Sequence, residues 1–377
     1  MKKSNLSTQC VHGEAIESQK GGVVTPIYTS TAYNYLNADP LSYPRYANTI
    51  NQQEVSNKIK LLENGEFGLV FSSGLAAITT TLMALLKKGD HAIFQGDIYG
   101  GTHYAITSEL SKFGIEFSFT ESIEVSSFEK QIQPNTKLVY IETPSNPLLK
   151  IVDVKCISAL CKAHGFYSVI DNTFASPINL QPITFGIDVV THSGTKYLGG
   201  HSDLTCGAAV CSAEIGAKIY KTLVNLGGSL DPQTCYLLDR SLKTLAIRVR
   251  QQNENAQLIA ESLQKEEKID AVYFPGLPDH PGHEIAKRQM KGFGAMLSFE
   301  VQGNADEFVQ KLKLIKPAIS LGGVESTVSS PQQTSHSKLS AEQRQEAGIK
   351  PNLLRLSVGI EDADDLINDL KRALSEQ

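Results

Sequence analysis

The 377-residue chain lacks a strong charge imbalance: 35 Lys and Arg stand against 40 Asp and Glu, a formal charge of -5. No block of five like charges occurs, so nothing draws it toward nucleic acid or an anionic membrane. It also lacks a long apolar run, since none reaches the roughly eighteen residues a membrane span requires. The opening MKKSNLSTQCVHGEAIESQKGG has no apolar signal-peptide core. These absences lead us to expect a cytoplasmic protein with a small-molecule partner. The most apolar stretch, Leu75 to Leu86, carries Thr79, Thr80 and Thr81 and ends in Lys87-Lys88-Gly89-Asp90, so it reads as a buried, capped helix. The six cysteines include no C-x-x-C pair and read as free buried thiols rather than metal ligands. His280 and His283 sit among Pro278, Pro281 and Gly282, which deny the helical spacing that would aim both rings at one ion; a plain loop and no metal are expected. Internal repeats, low-complexity tracts and the glycine fingerprints of P-loop and dinucleotide sites are missing as well. A nicotinamide oxidoreductase is therefore disfavoured.

What is present is the balance of an ordered globular protein: 41% hydrophobic and 20% charged residues, with 29 Gly and 15 Pro scattered along the chain. Its length suits about two or three domains. From residue 65 to residue 211, short apolar runs alternate with helix-like segments, the pattern of a mainly parallel sheet with helices on both faces. The strand runs are Gly68–Phe71, His91–Gln95, Ile115–Phe119, Lys137–Ile141, Tyr167–Ile170, Val189–Thr191 and Ala208–Cys211. Helices are expected near 74–87, 101–113, 153–164, with Asp153 as cap, and 214–225. Residues 1–50, with Pro26, Pro40, Pro44 and tyrosines at no sustained period, read as an arm that packs on something else. After residue 231 comes a helical stretch to about Lys265, then strands near Met296–Val301 and Leu354–Val358 and an amphipathic helix from Ala363 to Leu374. The expected division is an arm (1–50), a large domain (51–242) and a smaller α+β domain (243–377).

Three places could carry chemistry. Phe71-Ser72-Ser73-Gly74-Leu75-Ala76-Ala77 takes an apolar strand straight into a small-residue turn and a helix start, which leaves backbone N–H groups and the positive helix end ready for a phosphate. An ordinary helix cap at Ser72 or Ser73 is the plainer alternative. Asp171 closes an apolar strand, where open α/β sheets bind ligands, and a buried carboxylate there needs a cationic or hydrogen-bonded partner; a turn cap for Asn172-Thr173 is its alternative. Lys196, in Thr191-His192-Ser193-Gly194-Thr195-Lys196-Tyr197, follows a strand among hydroxyls and glycines, a setting suited to a Schiff base beside an anion site.

These signals occur in one order with Tyr99-Gly100-Gly101-Thr102 and Glu142-Thr143-Pro144-Ser145-Asn146-Pro147 between them. Together they resemble the Cys/Met-metabolism family of pyridoxal-phosphate enzymes, which includes cystathionine γ-synthase, cystathionine β- and γ-lyases and methionine γ-lyase. The resemblance runs from Thr25-Pro26-Ile27-Tyr28 to Arg355-Leu356-Ser357-Val358-Gly359. It implies a fold-type I α/β transferase-like architecture with a seven-stranded, mainly parallel sheet, and pyridoxal 5'-phosphate as cofactor. It implies Lys196 as the lysine that holds the cofactor and moves protons, and Asp171 as the partner of the pyridine nitrogen. Ser73, Gly74, Leu75, Ser193 and Thr195 would hold the phosphate. Tyr99 would stack on the ring and assist the leaving group, and Asn146 would lie beside the cofactor hydroxyl. Arg355, with Ser320 and Asn146, would clamp the substrate α-carboxylate. Tyr43 and Arg45 would reach the phosphate of a neighbouring subunit, which makes a homodimer the minimal active unit and a homotetramer the expected assembly.

The departures carry information about specificity. Asn48-Thr49-Ile50 replaces a common Asn-Pro-Thr, and Leu75 a common methionine, as local packing variants. Gly101 stands where methionine γ-lyases carry cysteine, so methionine loses weight as the preferred substrate. Ile319 stands where several γ-synthases and γ-lyases have glutamate, so a distal ammonium of cystathionine would lack that partner; Ile319 merely packing is the plainer reading. The expected activity is carbon–sulfur lysis of a sulfur amino acid, with cystathionine γ-synthase or an O-acyl-homoserine sulfhydrylase as the alternative. The loop Ser329–His336 is the next place to look for discrimination.

Overall fold

The computed structural model describes residues 4–13, 21–36, 38–335, 337 and 340–376; His336 of the loop just named lies outside them. Seven strands form the larger sheet: β1 (Phe67–Phe71), β2 (His91–Phe94), β3 (Glu116–Phe119), β4 (Thr136–Glu142), β5 (Tyr167–Asp171), β6 (Val189–Ser193) and β7 (Gly207–Cys211). Their order is β1-β7-β6-β5-β4-β2-β3; β7 runs antiparallel to both neighbours and the rest are parallel. Both faces are buried except at the edge strand β3, as the near-continuous apolar inner strands require. Phe94, Tyr140 and Val169 meet one helical layer, while Ile141, Ile170 and Val190 meet the other.

The smaller sheet is built from β8 (Ile269–Tyr273), β9 (Met296–Val301), β10 (Lys316–Pro317), β11 (Thr327–Ser329) and β12 (Leu353–Ser357), in the order β10-β11-β12-β9-β8. The closing helix Ala363–Ser375 buries Leu366, Leu370 and Leu374 against this side of the molecule.

Local chemistry explains the element ends. Asp153 caps the helix Val154–His164 by accepting from the Cys156 N–H at 3.1 Å, as expected. The helix Ile50–Leu62 starts with a capping box, in which the Thr49 N–H donates to the Gln52 side chain at 3.0 Å. The Thr49 that departs from the common proline is therefore a helix start in its own right.

Three expectations are corrected. The helical stretch after residue 231 is two helices, Pro232–Leu242 and Leu245–Leu263. The Ser241 carbonyl, which a continuous helix would give to Leu245, accepts instead from the Thr244 N–H at 3.2 Å and from Arg248 Nη2 at 2.9 Å. The expected helix at 101–113 is an α-turn Gly100–Tyr104, a π-turn Ala105–Glu109 and a 3₁₀-turn Leu110–Phe113; the Thr107 and Ser111 hydroxyls donate back to the His103 and Thr107 carbonyls and loosen the ladder. His283 opens a helix, His283–Gln289, rather than lying in a loop.

The arm is also divided. Its helix Leu6–His12 docks on the chain's own helices Ile50–Leu62 and Leu245–Leu263 and buries Cys10 in the core, whereas Val23, Tyr35, Leu36 and Leu41 are exposed. Among the described residues no helix is long and apolar enough to cross a membrane.

Candidate active site

The carboxyl ends of β4, β5 and β6 and the start of the helix Gly74–Leu85 converge on a cavity of about 450 Å³, and the smaller sheet supplies its far wall through Arg355. Ser73, Gly74, Leu75, Tyr99, Asn146, Asp171, Ser193, Thr195, Lys196, Ile319, Ser320 and Arg355 all line it. Residues up to 282 positions apart (355 − 73) thus line one cavity. Tyr43 and Arg45 are not among them. Arg45 Nη1 donates to the Val224 carbonyl of its own chain at 2.7 Å, and its guanidinium lies over the Tyr43 and Tyr46 rings.

Each position follows from its element. Ser73 is the helix cap, its Oγ accepting from the Ala76 N–H at 3.1 Å, and its carbonyl takes the Ala77 N–H. The cap and the anion-site readings therefore coexist, because the Gly74 and Leu75 N–H groups stay outside the helix ladder and point with its positive end. A Cβ on Gly74 would lie 2.7 Å from Ser193 Cα, so glycine lets the helix start approach β6 closely. Thr195 Oγ1 faces the Cys206 backbone, accepting from its N–H at 3.0 Å, while Ser193 is tied through its own N–H to Thr173 Oγ1 at 2.8 Å.

Asp171 Oδ1 accepts from the Thr173 N–H at 2.9 Å, so it makes a turn and lines the cavity at once. Burial raises its pKa; the Thr173 hydrogen bonds and the charges of His192 and Lys196 oppose that rise. Lys196 Nζ donates to Ser320 Oγ at 2.8 Å. Burial, and then the Arg355 charge, lower this amine to about 8, with Asp171 opposing. Arg355 is 5% exposed; Nη1 donates to Asn146 Oδ1 at 2.7 Å and Nη2 to Ser329 Oγ at 3.3 Å, while the buried Nε has no partner among the described residues. A carboxylate can take that open donor. Ile319 is 76% exposed, which argues against a merely packing role within this chain.

Glu142 was missed as a site residue. It ends β4 beside Asp171, pairs with it in register, lines the cavity, and accepts from the Tyr99 N–H at 2.9 Å. Burial, and then the neighbouring Asp171 charge, push it well above the usual carboxylate range. The same position rule that singled out Asp171, a carboxylate closing a parallel strand, applies to Glu142.

A lysine amine of lowered pKa, a buried carboxylate with no ion pair among the described residues, a free helix start and an open arginine donor fit a phosphorylated pyridine aldehyde and an amino-acid carboxylate. The comparisons agree with that chemistry. The family model of the Cys/Met metabolism PLP-dependent enzymes matches residues 7–375, and the chain belongs to that family. Its members use pyridoxal phosphate. The chain is 43% identical to a cystathionine γ-lyase of Bacillus subtilis, over 99% of both chains. It is 41% identical to a cystathionine β-lyase of Lactococcus lactis, over 99% of this chain and all of that one. A solved cystathionine γ-synthase of Xanthomonas oryzae, in complex with aminoacrylate and cysteine, superposes with a TM-score of 0.95 at 38% identity, covering 99% of this chain and 98% of that one. The fold is that of fold-type I pyridoxal-phosphate enzymes.

Proposed function

We propose that this chain is a cystathionine-type carbon–sulfur lyase that cleaves cystathionine, cysteine or homocysteine by β- or γ-elimination. One observation carries the reading: the Lys196 amine, with its pKa near 8, shares a cavity with the open Nε of Arg355. A proton carrier and a carboxylate clamp in one pocket suit removal of a proton from the α-carbon of an amino acid. The bound cofactor supplies the electron sink. Asp171 would hold the positive ring nitrogen, and the Gly74 and Leu75 N–H groups with the hydroxyls of Ser193 and Thr195 would hold the phosphate.

The chain's own groups then divide the work. Arg355, held by Asn146 and Ser329, orients the substrate through its α-carboxylate. Lys196, steadied by Ser320, takes the α-proton and can return it. Tyr99, whose backbone Glu142 fixes, assists departure of the thiol from the β- or γ-carbon. The γ-replacement reading, as cystathionine γ-synthase or an O-acyl-homoserine sulfhydrylase, is supported by the whole-chain likeness to the solved γ-synthase. Offering cystathionine, homocysteine, cysteine and O-acetyl- or O-succinylhomoserine in parallel decides among them. Pyruvate reports β-cleavage and 2-oxobutyrate reports γ-elimination; cystathionine formed from an acylhomoserine and cysteine would make the protein a γ-replacement enzyme. Placement of Tyr43 and Arg45 outside their own cavity supports a homodimer as the minimal unit; the homotetramer rests on the family resemblance alone. A cytoplasmic site of action suits the free thiols.

A further inference from the structure

We propose that Glu63, with His192, is a positioning residue for the cofactor: it ties the ends of β5 and β6 together and so fixes Asp171 relative to Ser193. Glu63 caps the carboxyl end of the helix Ile50–Leu62 and is fully buried. Its Oε1 accepts from His192 Nε2 at 2.6 Å and from Asn172 Nδ2 at 2.9 Å. His192 immediately precedes Ser193, and Asn172 immediately follows Asp171. One carboxylate oxygen therefore holds the neighbours of the two residues that would meet opposite ends of the cofactor.

The tie falls where the backbone stops providing one. The β5–β6 ladder runs to the pair Asp171–Thr191 and ends with the Asn172 N–H donating to the Thr191 carbonyl at 2.9 Å. Beyond that point the strand ends are joined by side chains. Because side chains alternate along a strand, His192 projects to the face opposite Thr191, the residue that Asp171 faces. Glu63 therefore acts from behind the sheet and touches no substrate.

Such an arrangement is costly. A buried carboxylate gives up its hydration, and only full pairing offsets that loss; here Glu63 Oε2 and Asn172 Oδ1 have no partners among the described residues. An apolar contact would hold two strands more cheaply, but it would not fix them by direction. A rigid ligand gripped at both ends needs that direction, since a misplacement of about 1 Å can cost a hundredfold. The inference requires only the cofactor and is independent of which reaction follows.

The test uses the holoenzyme of Glu63→Gln, Glu63→Ala and His192→Leu. The readouts are the rate of pyridoxal phosphate release on dilution, the visible circular dichroism of the bound chromophore, and Tm. Gln keeps an acceptor for both donors and removes the charge; release should stay within about threefold of native. Ala and Leu remove the tie; release should accelerate at least tenfold, with an altered dichroism band. Native release from folded Glu63→Ala or His192→Leu, even with a lowered Tm, would reduce the cluster to a fold staple and overturn the proposal. Equal acceleration in all three would assign the effect to charge and also overturn it. If Glu63→Ala fails to fold, His192→Leu against Glu63→Gln decides.

Discussion

At the scale of single residues the amine of Lys196 is the most informative group. With its pKa near 8, about half of it is neutral at pH 8, whereas an ordinary lysine at 10.5 would be almost wholly charged there. Only the neutral amine attacks a carbonyl carbon. In cofactor-stripped protein the rate of pyridoxal phosphate attachment should rise with pH through about 8 and level above it; a rise continuing toward 10 would refute the depressed pKa. Lys196→Ala should fold, hold no covalent cofactor, and lose about a hundredfold to ten-thousandfold in turnover or more. Absorbance of the purified variant and its keto-acid production check both parts. Ile319 sets a smaller effect. Although a buried glutamate–ammonium pair would be strong, the position is 76% exposed, and exposed pairs are worth about 1 kcal/mol at most. Ile319→Glu should therefore raise kcat/KM for cystathionine relative to cysteine by about two- to fivefold. An unchanged ratio would place discrimination elsewhere.

At the scale of elements, close approach dominates. An alanine at position 74 would favour a helix by up to about 1 kcal/mol on propensity alone. Its Cβ, however, meets Ser193 Cα and Cβ at 2.7 Å, and a backbone atom cannot step aside as a flexible side-chain tip can. Gly74→Ala should therefore lower the holoenzyme Tm by several degrees and speed cofactor release, since it moves the helix start from β6. A Tm equal to native would show that Ser193 yields. The seven strands of the larger sheet were legible within one or two residues: the inner strands are buried on both faces and so read as apolar runs, while the half-exposed edge strand β3 reads by the alternation of Phe117 and Phe119 with Glu116 and Ser118. The smaller sheet was legible only at β9 and β12. Strand β8 is half-exposed and carries Asp270, and β10 is two exposed residues, so neither shows a run. The break at Lys243-Thr244 was illegible because no proline or glycine marks it: Arg248 takes the Ser241 carbonyl at 2.9 Å while its other terminal nitrogen reaches the Tyr197 carbonyl, 51 residues away, at 2.9 Å. The cavity lining was read through ordered motifs, whereas the Glu63 tie spans 109 and 129 residues and belongs to no local pattern.

At the scale of the whole molecule the arm is the element that bears on assembly. Val23 is 98% exposed and Tyr35 73%, with Leu36 and Leu41 also exposed, so the arm carries apolar side chains that its own chain leaves uncovered. Tyr43 and Arg45 lie at its end, away from their own cavity. If they complete the phosphate site of a second copy, each cavity draws Lys196 from one chain and Arg45 from the other. Arg45→Ala and Lys196→Ala should then each be inactive alone and complement one another. In a mixed dimer one cavity carries both substitutions and the other carries none. With free exchange half the dimers are mixed, so activity should recover to about a quarter of native. A cavity built within one chain would leave every site of the mixture damaged. Recovery is followed as keto acid against time after mixing, with subunit exchange measured independently by differently labelled chains. Complete exchange without recovery would confine Tyr43 and Arg45 to their own chain, where the Val224 carbonyl already holds the guanidinium.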